Sequence, residues 1–108
     1  MHVLAVLASR PPEWNRERFT SWWRGPHAAK ARRLPGLVEY THGVVEEDLD
    51  GRGERWDGFA RLAFASRASL DAALSSAEWN DAVSDAIGIG GRRIALICDE
   101  TDLLSRDG

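Results

Sequence analysis

Four short apolar runs, spaced by two helical patterns and one polar loop, constrain the fold of this chain more than any other feature. The first, "HVLAVLAS" (His2 to Ser9), is rich in Val and Leu and is closed by Arg10-Pro11-Pro12, which fits a buried strand stopped by prolines. The second, "LVEYTHGVV" (Leu37 to Val45), alternates. Strand periodicity puts Val38, Tyr40, His42 and Val44 on one face and Leu37, Glu39, Thr41 and Val45 on the other. The third, "WDGFARLAFA" (Trp56 to Ala65), sets Trp56, Gly58, Ala60, Leu62 and Phe64 against Asp57, Phe59, Arg61, Ala63 and Ala65. "RRIALICDE" (Arg92 to Glu100) is the fourth.

Between the first two runs, "EWNRERFTSWWRGPHAAKARRL" has helical periodicity. Trp14, Arg18 and Trp22 share one stripe, and Phe19, Trp23 and His27 share another. Pro26 has no N–H to continue the ladder, so the helix must kink or restart there, and Pro35-Gly36 stops it. Between the third and fourth runs, Ser66 caps "RASLDAALSSAEWNDAVSDAI", where Ser75 and Glu78 have the spacing of a capping box and predict a bend or a second start.

The resulting order, β-α-β-β-α-β, predicts one α+β domain over residues 1–108, of ferredoxin-like type. Its four-stranded antiparallel sheet would carry both helices on one face. The other face would expose rows of Val, Leu and Ile to water. A second copy packing sheet to sheet is the natural remedy, so a homodimer is expected.

Composition narrows the function classes. The net charge of −3 argues against nucleic acid as a partner. No apolar stretch reaches the roughly 18 residues that span a bilayer, and "MHVLAVLAS" lacks the basic start of a leader peptide, so no membrane partner and a cytoplasmic location are expected. Cys98 is the only cysteine, which rules out an internal disulfide and a thiolate cluster, and its apolar setting predicts a buried, inert thiol. Charge is uneven: residues 10–33 hold seven bases and two acids, whereas residues 46–57 hold six acids. "GRG" at 51–53 and "GIGG" at 88–91 are loop chemistry, without the strand–loop–helix order of a dinucleotide site, and no cofactor is expected. The tail "TDLLSRDG" is acidic and is expected to be partly ordered.

Imidazole titrates near pH 7 unshifted, so cofactor-free proton transfer would favour His27 or His42 over other side chains. His27, just behind Gly25-Pro26, is either a general acid/base at the edge of a pocket or a group that steadies the bend. Tyr40 and His42, two apart on a strand, can together polarise a carbonyl or phenolate, or pair with each other inside a core. Trp22 and Trp23 are expected to wall a substrate pocket, with Trp56, Asp57 and Arg61 as further binding candidates. Asp57 and Arg61 fit a structural ion pair as well. The spacing of His27, His42 and Asp57 matches no metal-ligand pattern.

Two stretches, "FTSWWRGPHAAKARRLPGLVEY" and "WDGFARLAFASRASLDAALSSAEW", resemble the EthD-like family of dimeric α/β-barrel proteins. The shared pattern is an aromatic helix, a His, Leu-Pro-Gly-Leu and a Tyr, then an Asp-Gly strand, a Phe-x-Ser helix start and a Ser-x-Glu stretch. The resemblance implies a barrel of two sheets with a pocket under the helices of each subunit, and maps the family's recurring His onto His27. It implies a cofactor-independent enzyme acting on a hydrophobic aromatic or polyketide-like substrate, of cyclase, decarboxylase, isomerase or monooxygenase type. A non-catalytic ligand-binding or accessory protein and a haem-binding protein are the alternatives.

Overall fold

The computed structural model describes residues 1–51 and 55–104. The chain runs β1 (His2–Ala8), α1 (Arg16–Arg24), α2 (Pro26–Ala31), β2 (Leu37–Val44), β3 (Gly58–Phe64), α3 (Arg67–Leu74), α4 (Ala77–Gly88) and β4 (Arg93–Asp99). Each helical segment of the β-α-β-β-α-β order is divided in two. The first division falls at Gly25, whose N–H donates to the Ser21 carbonyl at 3.0 Å. Pro26 then takes the first position of α2, where a missing N–H costs nothing. The second falls at Ser75-Ser76, where the Ser76 side chain accepts from the Trp79 N–H. The capping serine is therefore Ser76 rather than Ser75, one residue later than the Ser75/Glu78 spacing predicts.

The strands form one sheet in the order β2-β3-β1-β4, with every neighbouring pair antiparallel. This is the ferredoxin-like arrangement. Leu4, Val6 and Ala8 of β1 and Ala60, Leu62 and Phe64 of β3 face the helices and pack on Phe19, Trp23, Leu70 and Ala73. Burying large side chains such as Phe19 or Leu70, both 0% exposed, stabilises the fold by about 1.5–3 kcal/mol each.

Two details of the strands differ from the sequence reading. A bulge between Leu37 and Glu39 sets two residues of β2 against one of β3, which turns Leu37 toward the core and leaves Val38 54% exposed. From Tyr40 onward the expected alternation holds. The third strand starts at Gly58, so Trp56 and Asp57 precede it.

The helix-free face carries Leu7, Phe59, Ile94 and Leu96, the last three 40%, 40% and 53% exposed. Arg61 lies on this face, pairing with Glu39 at 2.7 Å and with Glu100. Val3 and Ala63, paired with each other on the same face, are buried. Cys98 shares this face and is half-buried rather than part of the core. No helix among the described residues is long and apolar enough to cross a membrane. The Gly-rich motif at 51–53 and the acidic tail at 101–108 lie partly outside the described residues.

Candidate functional site

Phe19, Trp23 and His27 keep one stripe across the Gly25 break, so α2 carries the inward face of α1 onward over β2. The result is a column of rings. Trp23 lies nearly parallel to His27 on one side (9°, 5.4 Å between centroids) and to His42 on the other (13°, 4.5 Å). Trp22 stacks on His27 at 4.5 Å. The Trp23 indole N–H donates to the Gly43 carbonyl at 3.2 Å, which fixes the ring's rotation. The same edge of the indole rests on Gly58, where a Cβ would come within 2.6 Å of the ring; only glycine leaves room for it.

His27 is held from the opposite layer. Its Nδ1 lies 2.9 Å from Oδ2 of Asp85 on α4, and Lys30 flanks the same carboxylate at 3.9 Å and Asp81 at 3.6 Å. Burial lowers the His27 pKa, against the opposing pull of the Asp85 hydrogen bond. A neutral ring donates its Nδ1–H to Asp85, so the Nε2 lone pair is the free position. No buried side-chain nitrogen among the described residues lacks a partner, so Nε2, which has none, keeps contact with open space.

Tyr40 and His42 share the helix-side face of β2, as alternation predicts, and the Tyr40 hydroxyl hydrogen-bonds Nε2 of His42 with the rings at 86°. Burial pushes the His42 imidazole down to about 4, helped by His27 and by the charges of Arg32 and Arg24. Burial pushes the Tyr40 phenol up to about 12. Both are therefore neutral at pH 7: one hydrogen-bonded base beside one hydrogen-bonded acid.

Two spaces meet at this pair. Behind it, Trp23, His27, Trp79, Ala82 and Arg93 enclose a hollow of about 30 Å³, room for about one water. Arg93, half-buried, lies 5.3 Å over the Trp79 ring. In front, Arg24, Ala28 and Arg32 complete an open cleft of about 200 Å³. A haem does not fit the inner hollow, since ligands of that size take roughly 300 Å³ or more.

The structure thus brings Trp22, Trp23, His27, Tyr40 and His42 together and leaves the other three candidates elsewhere. Trp56 lies under Arg92 (4.9 Å) beside a separate cleft of about 370 Å³ at the end of the sheet. Asp57 lines that cleft too, accepts the Arg10 N–H at 2.8 Å and is 6% exposed. Arg61 is on the far side of the sheet from both imidazoles. Asp85, Arg93, Arg24 and Arg32 are neighbours the sequence reading passed over. Asp85 is 58 positions from His27 and carries no local signal. The two arginines belong to the basic segment already noted, and only the fold turns them toward His42. No group of three or more His, Cys, Asp or Glu among the described residues could hold a metal ion.

A family model for the EthD domain matches residues 11–87, well over half of the chain. The chain belongs to the EthD family. Among solved structures, this EthD chain is similar to an ethyl tert-butyl ether D family protein from Bacillus halodurans, at 19% identity and TM-score 0.74, covering 94% of this chain and 100% of that one. It is also similar to a dimeric ferredoxin-like protein from Jannaschia sp. (18%, TM-score 0.66, covering 93% and 100%). A third is SnoaB, a cofactor-independent oxygenase from Streptomyces nogalater (15%, TM-score 0.67, covering 95% of both chains). At these identities the likeness establishes the fold alone. No curated protein sequence matches the chain at a significant level.

Proposed function

We propose that this EthD protein is a cofactor-independent enzyme that moves a proton on a hydrophobic, aromatic or polyketide-like small molecule. The observation that carries this reading is the Tyr40–His42 pair, neutral at pH 7 and facing the 200 Å³ cleft. On substrate binding the Tyr40 O–H leaves Nε2 of His42 for the substrate oxygen on which charge develops, and the freed Nε2 lone pair accepts the proton from an acidic C–H or phenol. The sequence reading gave the leading role to His27. His27 lines two hollows no larger than a water molecule and not the open cleft, so it reaches a ring-sized substrate less directly. Held by Asp85, its free Nε2 is placed to act on a water-sized reactant or to relay a proton. Proton transfer, in one direction or the other, is the event shared by cyclisation, decarboxylation, isomerisation and reaction with dioxygen. The resemblance to SnoaB, a cofactor-independent oxygenase, is consistent with that chemistry.

We further propose that two copies pair through the helix-free face. Exposed Phe59, Ile94 and Leu96 and the dimeric state in the name of the Jannaschia protein support this.

Deuterium exchange into a panel of 1,3-diketones and polyhydroxylated aromatics in D₂O, followed by NMR, tests the chemistry. The wild type should accelerate exchange for at least one compound, His42→Gln should lose about 100-fold or more, and Tyr40→Phe less. His27→Asn should keep more activity than His42→Gln. No acceleration by the wild type, or full activity in His42→Gln, would refute the proposal.

A further inference from the structure

Between Glu17 and Glu39 the chain contains no acidic residue, while Arg18, Arg24, Lys30, Arg32 and Arg33 fall in that interval. Three arginines elsewhere in the molecule are neutralised locally: Arg10 lies by Asp57, Arg61 between Glu39 and Glu100, and Arg67 by Asp71. Lys30, in the same basic interval, faces Asp81 and Asp85. Arg24 and Arg32 have no such partner. Neither forms an ion pair or a side-chain hydrogen bond among the described residues, and both line the cleft onto which Tyr40 and His42 open.

Their placement is regular. Arg24 ends α1, Arg32 caps α2, and Ala28 lies midway between them, so four-residue steps put two guanidinium groups on one side of the helices with a methyl group between. The small side chain leaves the space that a longer one would fill. Their charge also reaches the reacting groups: both arginines help hold His42 neutral, and Arg32 opposes the rise of the Tyr40 pKa. Two uncompensated, forked donors beside a neutral base suit a planar anion whose charge grows when a proton leaves.

We propose that Arg24 and Arg32 form the anion-recognition subsite of this cleft, so that the substrate carries a carboxylate, or an equally acidic enol or phenol, within reach of the Tyr40–His42 pair. The inference rests on the proposed function and narrows its substrate to acidic ring compounds. It also explains a charge run that would otherwise be only a solvated surface.

The test uses salicylate and its uncharged analogue salicylamide, titrated into the full-length protein and followed by calorimetry and by NMR of the imidazole nitrogens. Salicylate should bind at least ten-fold tighter than salicylamide and shift the His42 resonances. The preference should vanish in the Arg24→Gln/Arg32→Gln double variant and persist in Arg33→Gln, which removes an exposed arginine outside the cleft. Equal affinity for acid and amide, binding of neither, or a preference that survives the double variant would overturn the inference. The proposed function fails differently. An arginine-dependent preference for salicylate without any shift at His42 would keep the anion subsite and separate it from the acid/base pair. Equal binding of both probes with His42 shifted would leave that pair standing without the anion subsite.

Discussion

The two faces of the sheet solve opposite problems with similar material. On the helix side, aromatic rings stack, both imidazoles are neutral, and polar groups find partners within the chain: His27 with Asp85, Tyr40 with His42, and Trp23 with the Gly43 carbonyl. On the helix-free side, Phe59, Ile94 and Leu96 are open, and the central polar group, Arg61, stays charged between two carboxylates that raise its pKa further. Burial strips charge from histidine on one side, while ion pairing keeps it on arginine on the other. One sheet can therefore carry neutral imidazoles, one buried and one half-buried, on one side and, across it, an apolar surface suited to another protein surface.

The sharpest way to break this comparison is to remove the ring that holds the covered side together. Trp23→Ala deletes a side chain 1% exposed and should lower stability by about 3–5 kcal/mol in chemical denaturation. A loss under about 1 kcal/mol would mean that the aromatic column does not organise this face. Acidification should give the next largest effect. The folded-state pKa of His42, about 4, lies below the ordinary 6.5, so its contribution is full above pH 6.5 and is lost as pH falls toward 4. The loss should be on the order of 2 kcal/mol, after allowing for partial exposure, and His42→Gln should flatten that part of the stability–pH curve. On the other face, Leu96→Asp should change the intrinsic folding stability by less than about 1 kcal/mol, since the side chain is 53% exposed. It should, however, shift sedimentation from dimer to monomer. A wild type that sediments as a monomer would remove the proposed role of that face.

The fold was readable because its periodicities are strong: β1 is apolar and ended by prolines, β2 and β3 alternate, and the Phe19–Trp23–His27 stripe survives its own break. Misreadings came where a local event overrode periodicity. The bulge at Val38 reversed Leu37 and Val38, and β3 begins only after Trp56 and Asp57, which takes both out of the face assigned to them. The site was half legible. Tyr40 and His42 are two residues apart on one strand, so their meeting follows from strand geometry alone. The His27–Asp85 contact joins α2 to α4, a packing relation between layers that no local pattern encodes. The same is true of Arg93 at the inner hollow. Arg61 is a different case: alternation places it opposite Ala60 and Leu62, and its ion pairs with Glu39 and Glu100 lie across the sheet from both imidazoles.

The central claim, that His42 is a neutral, shielded base hydrogen-bonded to Tyr40, is tested most directly by an NMR titration of its imidazole. The ring nitrogens should keep their neutral-form shifts from pH 8 down to pH 5 and titrate near 4. A midpoint at the ordinary value of about 6.5 would contradict the claim.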